Sequence, residues 1–152
     1  MPNRATALTG AAGEHFVAYR FSVMGYPVAL TRGGSPTVDL MVGDLKGQAA
    51  VSFQVKTASS ARRKDRWEWD VGRKALDLRG DSIFYAFVDL KGDHPNQLPD
   101  VFIVPSNLVA SWLKPEWKRL MYWILDRDAD NYRERWDLIT SRLGAKVPKN
   151  AT

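Results

Sequence analysis

The 152-residue sequence contains no cysteine. That excludes a disulfide framework, thiolate zinc sites, iron–sulfur clusters and a cysteine nucleophile. Long apolar runs are missing as well. No stretch approaches the roughly 18 residues of a membrane helix, and positions 1–13 lack the apolar segment of a signal peptide. A cytoplasmic protein with no membrane partner is expected. Histidine is scarce: His15 and His94 are the only two, and neither has a partner four residues away for a helical metal site. Gly33-Gly34 lacks the further glycines and lysine of a phosphate loop, and no serine sits in a nucleophile-elbow pattern. No period of 20–50 residues marks a repeat architecture.

What is present is ordinary globular usage, 45% hydrophobic and 26% charged, enough for a core without covalent staples. The net charge is +5, which implies an anionic partner without naming it. The surplus is uneven. Between Lys56 and Arg79 there are eight basic residues against four acidic ones, with Trp67 and Trp69 interleaved. Asp126 to Asp137 runs the other way, five acids to three arginines. A basic segment with aromatics suits a phosphate backbone, and a solvated loop of mixed charge is the competing reading.

Periodicity predicts a helix over 9–24, with Thr9 as its cap and Val17, Phe21 and Met24 as its inward stripe. Three residues before Val17 lies Glu14, near that stripe; an acidic residue early in a helix also complements the helix dipole. Strands are expected at 27–30, 38–42 and 49–57. Gly33-Gly34-Ser35-Pro36 breaks the first two, and a hairpin turn at 43–47 joins the next. In the third strand Val51, Phe53 and Val55 share one face, and Ser52, Gln54 and Lys56 the other. The run at 82–90 reads as a strand buried on both faces, and 101–104 as another. A helix follows over 105–113 with Ser106 as cap. Leu120–Leu125 fits an edge strand or a helical turn, and Tyr132, Trp136, Ile139 and Leu143 are spaced for a C-terminal helix. Asp126, Asp128 and Asp130 imitate the start of a calcium loop, but Asn131 replaces the required glycine, so a capped helix start is expected. The order describes one α/β domain over 1–145, with a frayed tail at 146–152.

Three polar features converge if the second and third strands form a hairpin: Glu14 on the helix, Asp39 within the second strand, and Gln54 with Lys56 on the third. The pattern Gly13-Glu14, Val38-Asp39-Leu40 and Gln54-Val55-Lys56-Thr57 resembles the PD-(D/E)XK nuclease superfamily. There a helix glutamate, a strand aspartate and an acid-x-lysine pair occur in that order. The glutamine form is similar to the branch containing certain intron-encoded homing endonucleases and relatives of archaeal Holliday-junction resolvases. The likeness runs from about Thr9 to Trp112.

The resemblance implies a restriction-endonuclease-like three-layer fold, a central mixed β-sheet flanked by helices, and metal-dependent hydrolysis of DNA phosphodiesters. It implies Mg²⁺, or Mn²⁺ in its place, held by Asp39, Gln54, the Val55 backbone carbonyl and Glu14. Lys56 would orient or deprotonate the water, or neutralise charge on the phosphate. Arg62, Arg63, Lys64, Arg66, Arg73 and Lys74 would hold the DNA backbone. Glutamine in place of an acid removes a negative charge from the site, so weaker metal binding is expected. A catalytically weak or inactive nuclease-like domain that binds DNA or a protein partner is the alternative. A purely stabilising network, Asp39 paired with Lys56 and Gln54 bonded between strands, is another. His15 beside Glu14 suits a supporting role or a plain surface position. The tryptophans Trp112, Trp117, Trp123 and Trp136 suit core or interface, and an exposed group of them would support a homo-oligomer.

Overall fold

The computed structural model describes residues 4–31 and 38–144. The expected Gly33–Pro36 break and the 146–152 tail lie outside the described residues.

Helix α1 (Arg4–Val23) opens the chain, and β1 (Val28–Leu30), β2 (Leu40–Gly43) and β3 (Ala50–Ala58) follow. After β4 (Arg66–Asp70) and a 3₁₀ turn come β5 (Ile83–Asp89), β6 (Asp100–Pro105) and α2 (Ser106–Trp112). The chain continues through β7 (Met121–Leu125) and a second 3₁₀ turn to α3 (Asp137–Leu143). A five-stranded sheet runs β1-β2-β3-β5-β6, and β4 and β7 pair separately. Within the larger sheet only β3 and β5 are parallel, so the sheet is mixed.

Two apolar clusters lie on opposite faces of this sheet. Beneath α1 and α3, Val17, Phe21 and Ile139 meet Leu40, Phe53, Val55 and Phe84. The Phe21 and Phe53 rings are 5.2 Å apart, and Trp136 meets Phe21 edge-on. On the far face Tyr85, Phe87 and Phe102 meet Trp67, Trp69, Tyr122 and Ile124 of the small sheet, with Val109 of α2. The arrangement is three-layered: helices, mixed sheet, then the β4–β7 pair with α2. Helices flank a central mixed sheet, as expected.

Five local expectations are corrected. Thr9 is not a cap, because α1 begins before it and its Oγ1 bonds back to the Ala5 carbonyl. Ser106 is not a cap either. Its buried hydroxyl accepts from the Gly80 N–H and donates to the Gly80 carbonyl, tying α2 to the start of β5. The basic segment contains a strand, β4, paired with β7. The C-terminal helix starts only at Asp137. Before it, Ile103 donates to the Tyr132 carbonyl and Glu134 to the Val101 carbonyl, so residues 132–134 run along β6. Tyr132 belongs to the far apolar cluster rather than to the helical stripe. The Asp126 series forms a 3₁₀ turn, and among the described residues no three His, Cys, Asp or Glu gather to hold a metal ion.

Candidate functional site

The register of β2 against β3 creates the site. The ladder ends at Leu40 opposite Phe53, and Asp39, one residue before β2, still donates its N–H to the Phe53 carbonyl at 2.8 Å. The other side of Asp39 is held by Thr31, whose N–H and hydroxyl both reach the Asp39 carbonyl, at 2.9 and 3.1 Å. Strand β3 continues past this point without β2. Its next donor on that edge, the Val55 N–H, is satisfied by the Asp39 carboxylate at 2.7 Å. A carboxylate thus replaces a missing strand.

Gln54 comes to the same oxygen. Its Nε2 donates to Oδ2 of Asp39 at 2.9 Å, leaving Oδ1 of Asp39 with no protein donor among the described residues. An ionised carboxylate only accepts, so the amide must present its nitrogen here. Lys56 is half-buried on the Gln54 face of β3 and makes no ion pair within 4 Å among the described residues. Its charge nevertheless acts on Asp39. Burial raises the Asp39 carboxyl above its ordinary range, and the Val55 N–H and Lys56 partly oppose that rise.

Glu14 reaches this group because α1 runs very close to β3. A Cβ placed on Gly13 would fall on Oγ1 of Thr57 and lie 2.8 Å from its Cβ and Cγ2. Only glycine allows that approach. The next residue, Glu14, is half-buried, and its carboxyl is raised by burial first and by the negative charge of Asp39 second, with His15 opposing. The two carboxylates are therefore in electrostatic contact, and each resists ionisation. His15 itself is exposed.

Asp39, Gln54 and Val55 are thus bonded together at one place on the sheet, with Glu14 and Lys56 within electrostatic range of Asp39. Asp39 lies just before its strand rather than within it. The Val55 carbonyl points along the same edge as its N–H, where β2 has ended. The set fits a hard cation in donor type: two mutually repelling carboxylates, a backbone carbonyl and an amide oxygen. It holds only two acids, one fewer than a three-carboxylate cluster would need.

The basic residues scatter by comparison. Arg62 forks onto Asp126 and stacks on Trp67, while Arg63 and Arg66 both reach Glu68. Arg73 donates to the Pro115 carbonyl. Lys64 and Lys74 are exposed and make no ion pair among the described residues. Trp67 and Trp69 are buried, so the aromatics interleaved with these charges face the core.

Two solved structures share this architecture. A bacterial homing endonuclease, I-Ssp6803I, superposes with a TM-score of 0.65 at 19% identity, over 91% of this chain and 93% of its own. The Holliday junction resolvase Hjc of the archaeal hyperthermophile Archaeoglobus fulgidus does so with a TM-score of 0.50 at 12% identity, over 85% and 93%. The fold is restriction-endonuclease-like. No family model matches the sequence, and no curated protein matches it at a significant level. At such identities the likeness concerns the restriction-endonuclease-like fold itself, and the chemistry rests on the residues above.

The Gly13–Thr57 approach was not legible beforehand. Gly13 stands out in sequence only as a glycine inside a helix, which costs stability unless something must come close.

Proposed function

We propose that this protein is a nuclease-like domain of the PD-(D/E)XK superfamily, in its Q-x-K form, that binds DNA. The observation that supports this is the bonded group of Asp39, Gln54 and Val55 at the end of the β2–β3 ladder, with Glu14 and Lys56 in electrostatic range of Asp39, in a fold shared with two nucleases. Lys64 and Lys74, free of protein ion pairs among the described residues, are the phosphate contacts we favour; Arg62, Arg63, Arg66 and Arg73 are already engaged and contribute less.

Hydrolysis is a second reading, supported by the position of Lys56 beside Asp39. Asp39, Glu14, the Val55 carbonyl and the Gln54 amide oxygen would hold Mg²⁺ or Mn²⁺. When bound, such an ion polarises a phosphate oxygen and acidifies a water. Lys56 then has an oriented water or a charged phosphate oxygen within its field, on the face it shares with Gln54. With two acids instead of three, the site favours weak metal binding and slow cleavage.

The test is paired. Binding to plasmid and branched DNA is measured across a salt series, and cleavage of both is followed with Mg²⁺ or Mn²⁺ alongside Asp39→Ala and Lys56→Ala. Binding that weakens steeply with salt supports the domain reading. Metal-dependent cleavage abolished by both substitutions supports hydrolysis. No affinity for any DNA overturns the proposal.

A further inference from the structure

Away from the acidic site, three tryptophans pack against one another, and two of them, Trp117 and Trp123, line a cavity of about 310 Å³ together with Lys118, Arg119 and Met121. The alternation of β7 places Tyr122 and Ile124 in the core and turns Trp123 outward, where it is 36% exposed. Trp117, from the α2–β7 connection, lies nearly parallel to it, with ring centroids 6.3 Å apart and planes 21° apart. Trp112, at the end of α2, stands edge-on to both, at 5.4 Å and 77° from Trp117 and 5.8 Å and 64° from Trp123. Trp117 and Trp123 form the aromatic wall of this slot, and Trp112, outside its lining, braces both. Centroids 6.3 Å apart are those of rings in mutual contact, so a flat ligand has to stack on the exposed indole surface rather than between the two rings.

Two kinds of group fill aromatic slots: a cation, held by the ring faces, and a flat heterocycle, held by stacking. The rim decides between them. Arg66 already lies over Trp123 at 4.1 Å from its centroid, and Lys118 and Arg119 line the cavity. Arg66 and Arg119 are paired with Glu68 and Asp70, but Lys118 has no acidic partner among the described residues. A cationic ligand would meet like charge here. A heterocycle carrying a phosphate would not. A second copy of the chain docked symmetrically through this face would bring the same cations near one another.

We propose that the Trp117–Trp123 slot stacks an unpaired nucleobase of single-stranded DNA, with Lys118 meeting the adjacent phosphate. The inference rests on the DNA-binding reading for its polymer, and the test separates the two. Fluorescence anisotropy of a labelled single strand of about twelve nucleotides, a length within the usual footprint of such stacking surfaces, is compared with a blunt duplex of the same sequence in EDTA, where cleavage plays no part. Single strand is expected to bind more tightly than duplex. Trp123→Leu, which keeps apolar bulk without a π-face, should weaken the single strand about tenfold and leave the duplex unchanged. Trp123→Tyr should retain most of the affinity, and unchanged thermal unfolding of both variants checks the fold.

Single-strand binding that Trp123→Leu leaves intact overturns the slot while sparing the DNA reading. Absence of binding to either form overturns both. Displacement of the single strand by micromolar adenosine monophosphate would make this a free-nucleotide site, and a dimer that Trp123→Leu dissolves would make it a self-association surface. Either result overturns the assignment to single-stranded DNA.

Discussion

The amide nitrogen of Gln54 lies 2.9 Å from Oδ2 of Asp39, the same oxygen that takes the Val55 N–H at 2.7 Å. Gln54 thus relieves the charge of Asp39 where an acid would add to it. To offer its oxygen to a cation beside Asp39, the amide must turn over and give up that bond. Gln54→Glu removes this competition and adds a negative charge. It should tighten Mg²⁺ or Mn²⁺ binding at least about tenfold, since a unit charge about 4 Å from another is worth about 1 kcal/mol even at the dielectric of water, and twice that toward a divalent ion. Titration calorimetry reads the change directly, and equal affinity in the two proteins would contradict it.

Gly13→Ala tests the approach of α1 to β3. The new methyl would fall on the Thr57 side chain, so α1 must move away and carry Glu14 with it. A loss of about 1–3 kcal/mol is expected, as for other overpacked contacts, together with weaker metal binding. Thr57→Ala in the Gly13→Ala background removes the contacts with Oγ1 and Cγ2 but keeps the one with Cβ at 2.8 Å, so rescue should be partial. Denaturant melts and metal titration follow the two effects. A Gly13→Ala protein that is as stable as wild type and binds metal equally would refute the close contact.

The raised carboxyls make stability fall with pH. Glu14 holds its proton to a higher pH in the folded state than in the unfolded chain, so between those two values folding takes up a proton. The folded state is favoured below that window, and the advantage is lost as pH rises through it. In EDTA at neutral pH, Glu14→Gln should therefore melt about 2 °C higher than wild type. Below about pH 4, where the wild-type carboxyl is protonated, the difference should vanish. Added Mg²⁺ should narrow the neutral-pH gap by stabilising wild type alone. Melting curves across pH with and without metal contain the whole test; a variant less stable at neutral pH has the wrong sign.

For the basic surface, Lys64→Ala and Lys74→Ala should each weaken DNA binding on all sequences and lower the slope of log affinity against log salt by about one. Arg62→Ala should change that slope less, since its guanidinium is already occupied by Asp126. Its ion pair is exposed and adds little to stability, so the fold should tolerate the change. A larger slope change for Arg62→Ala than for Lys64→Ala would reverse the assignment.

The five-stranded sheet was readable because its strands carry their own patterns. β3 alternates, and β5 is apolar on both faces because it lies between β3 and β6 with an apolar cluster against each face. β4 was missed for a physical reason. Its outward residues Arg66, Glu68 and Asp70 made the segment look like solvated charge, and the inward Trp67 and Trp69 were read as part of it. Its partner β7 is distant in sequence, so no turn signal announces the pairing. The four polar site residues were named from their order and strand phase, which fix a face and an end. The close passage of α1 could not be seen, because it depends on Thr57 across the layer. Residues 132–134 defeated the helical spacing because β6 offers them backbone bonds.

The pairing of β4 with β7 sets an order on synthesis. A ribosome that has released the chain through β6 has delivered every strand of the large sheet. Trp67 and Trp69 must then wait for Tyr122 and Ile124 before their layer can close. During that interval the indoles are uncovered on a nearly finished core, the state in which nascent chains meet chaperones. A premature stop just before Met121 would make the interval permanent and would also remove α3, leaving the sheet short of cover on both faces.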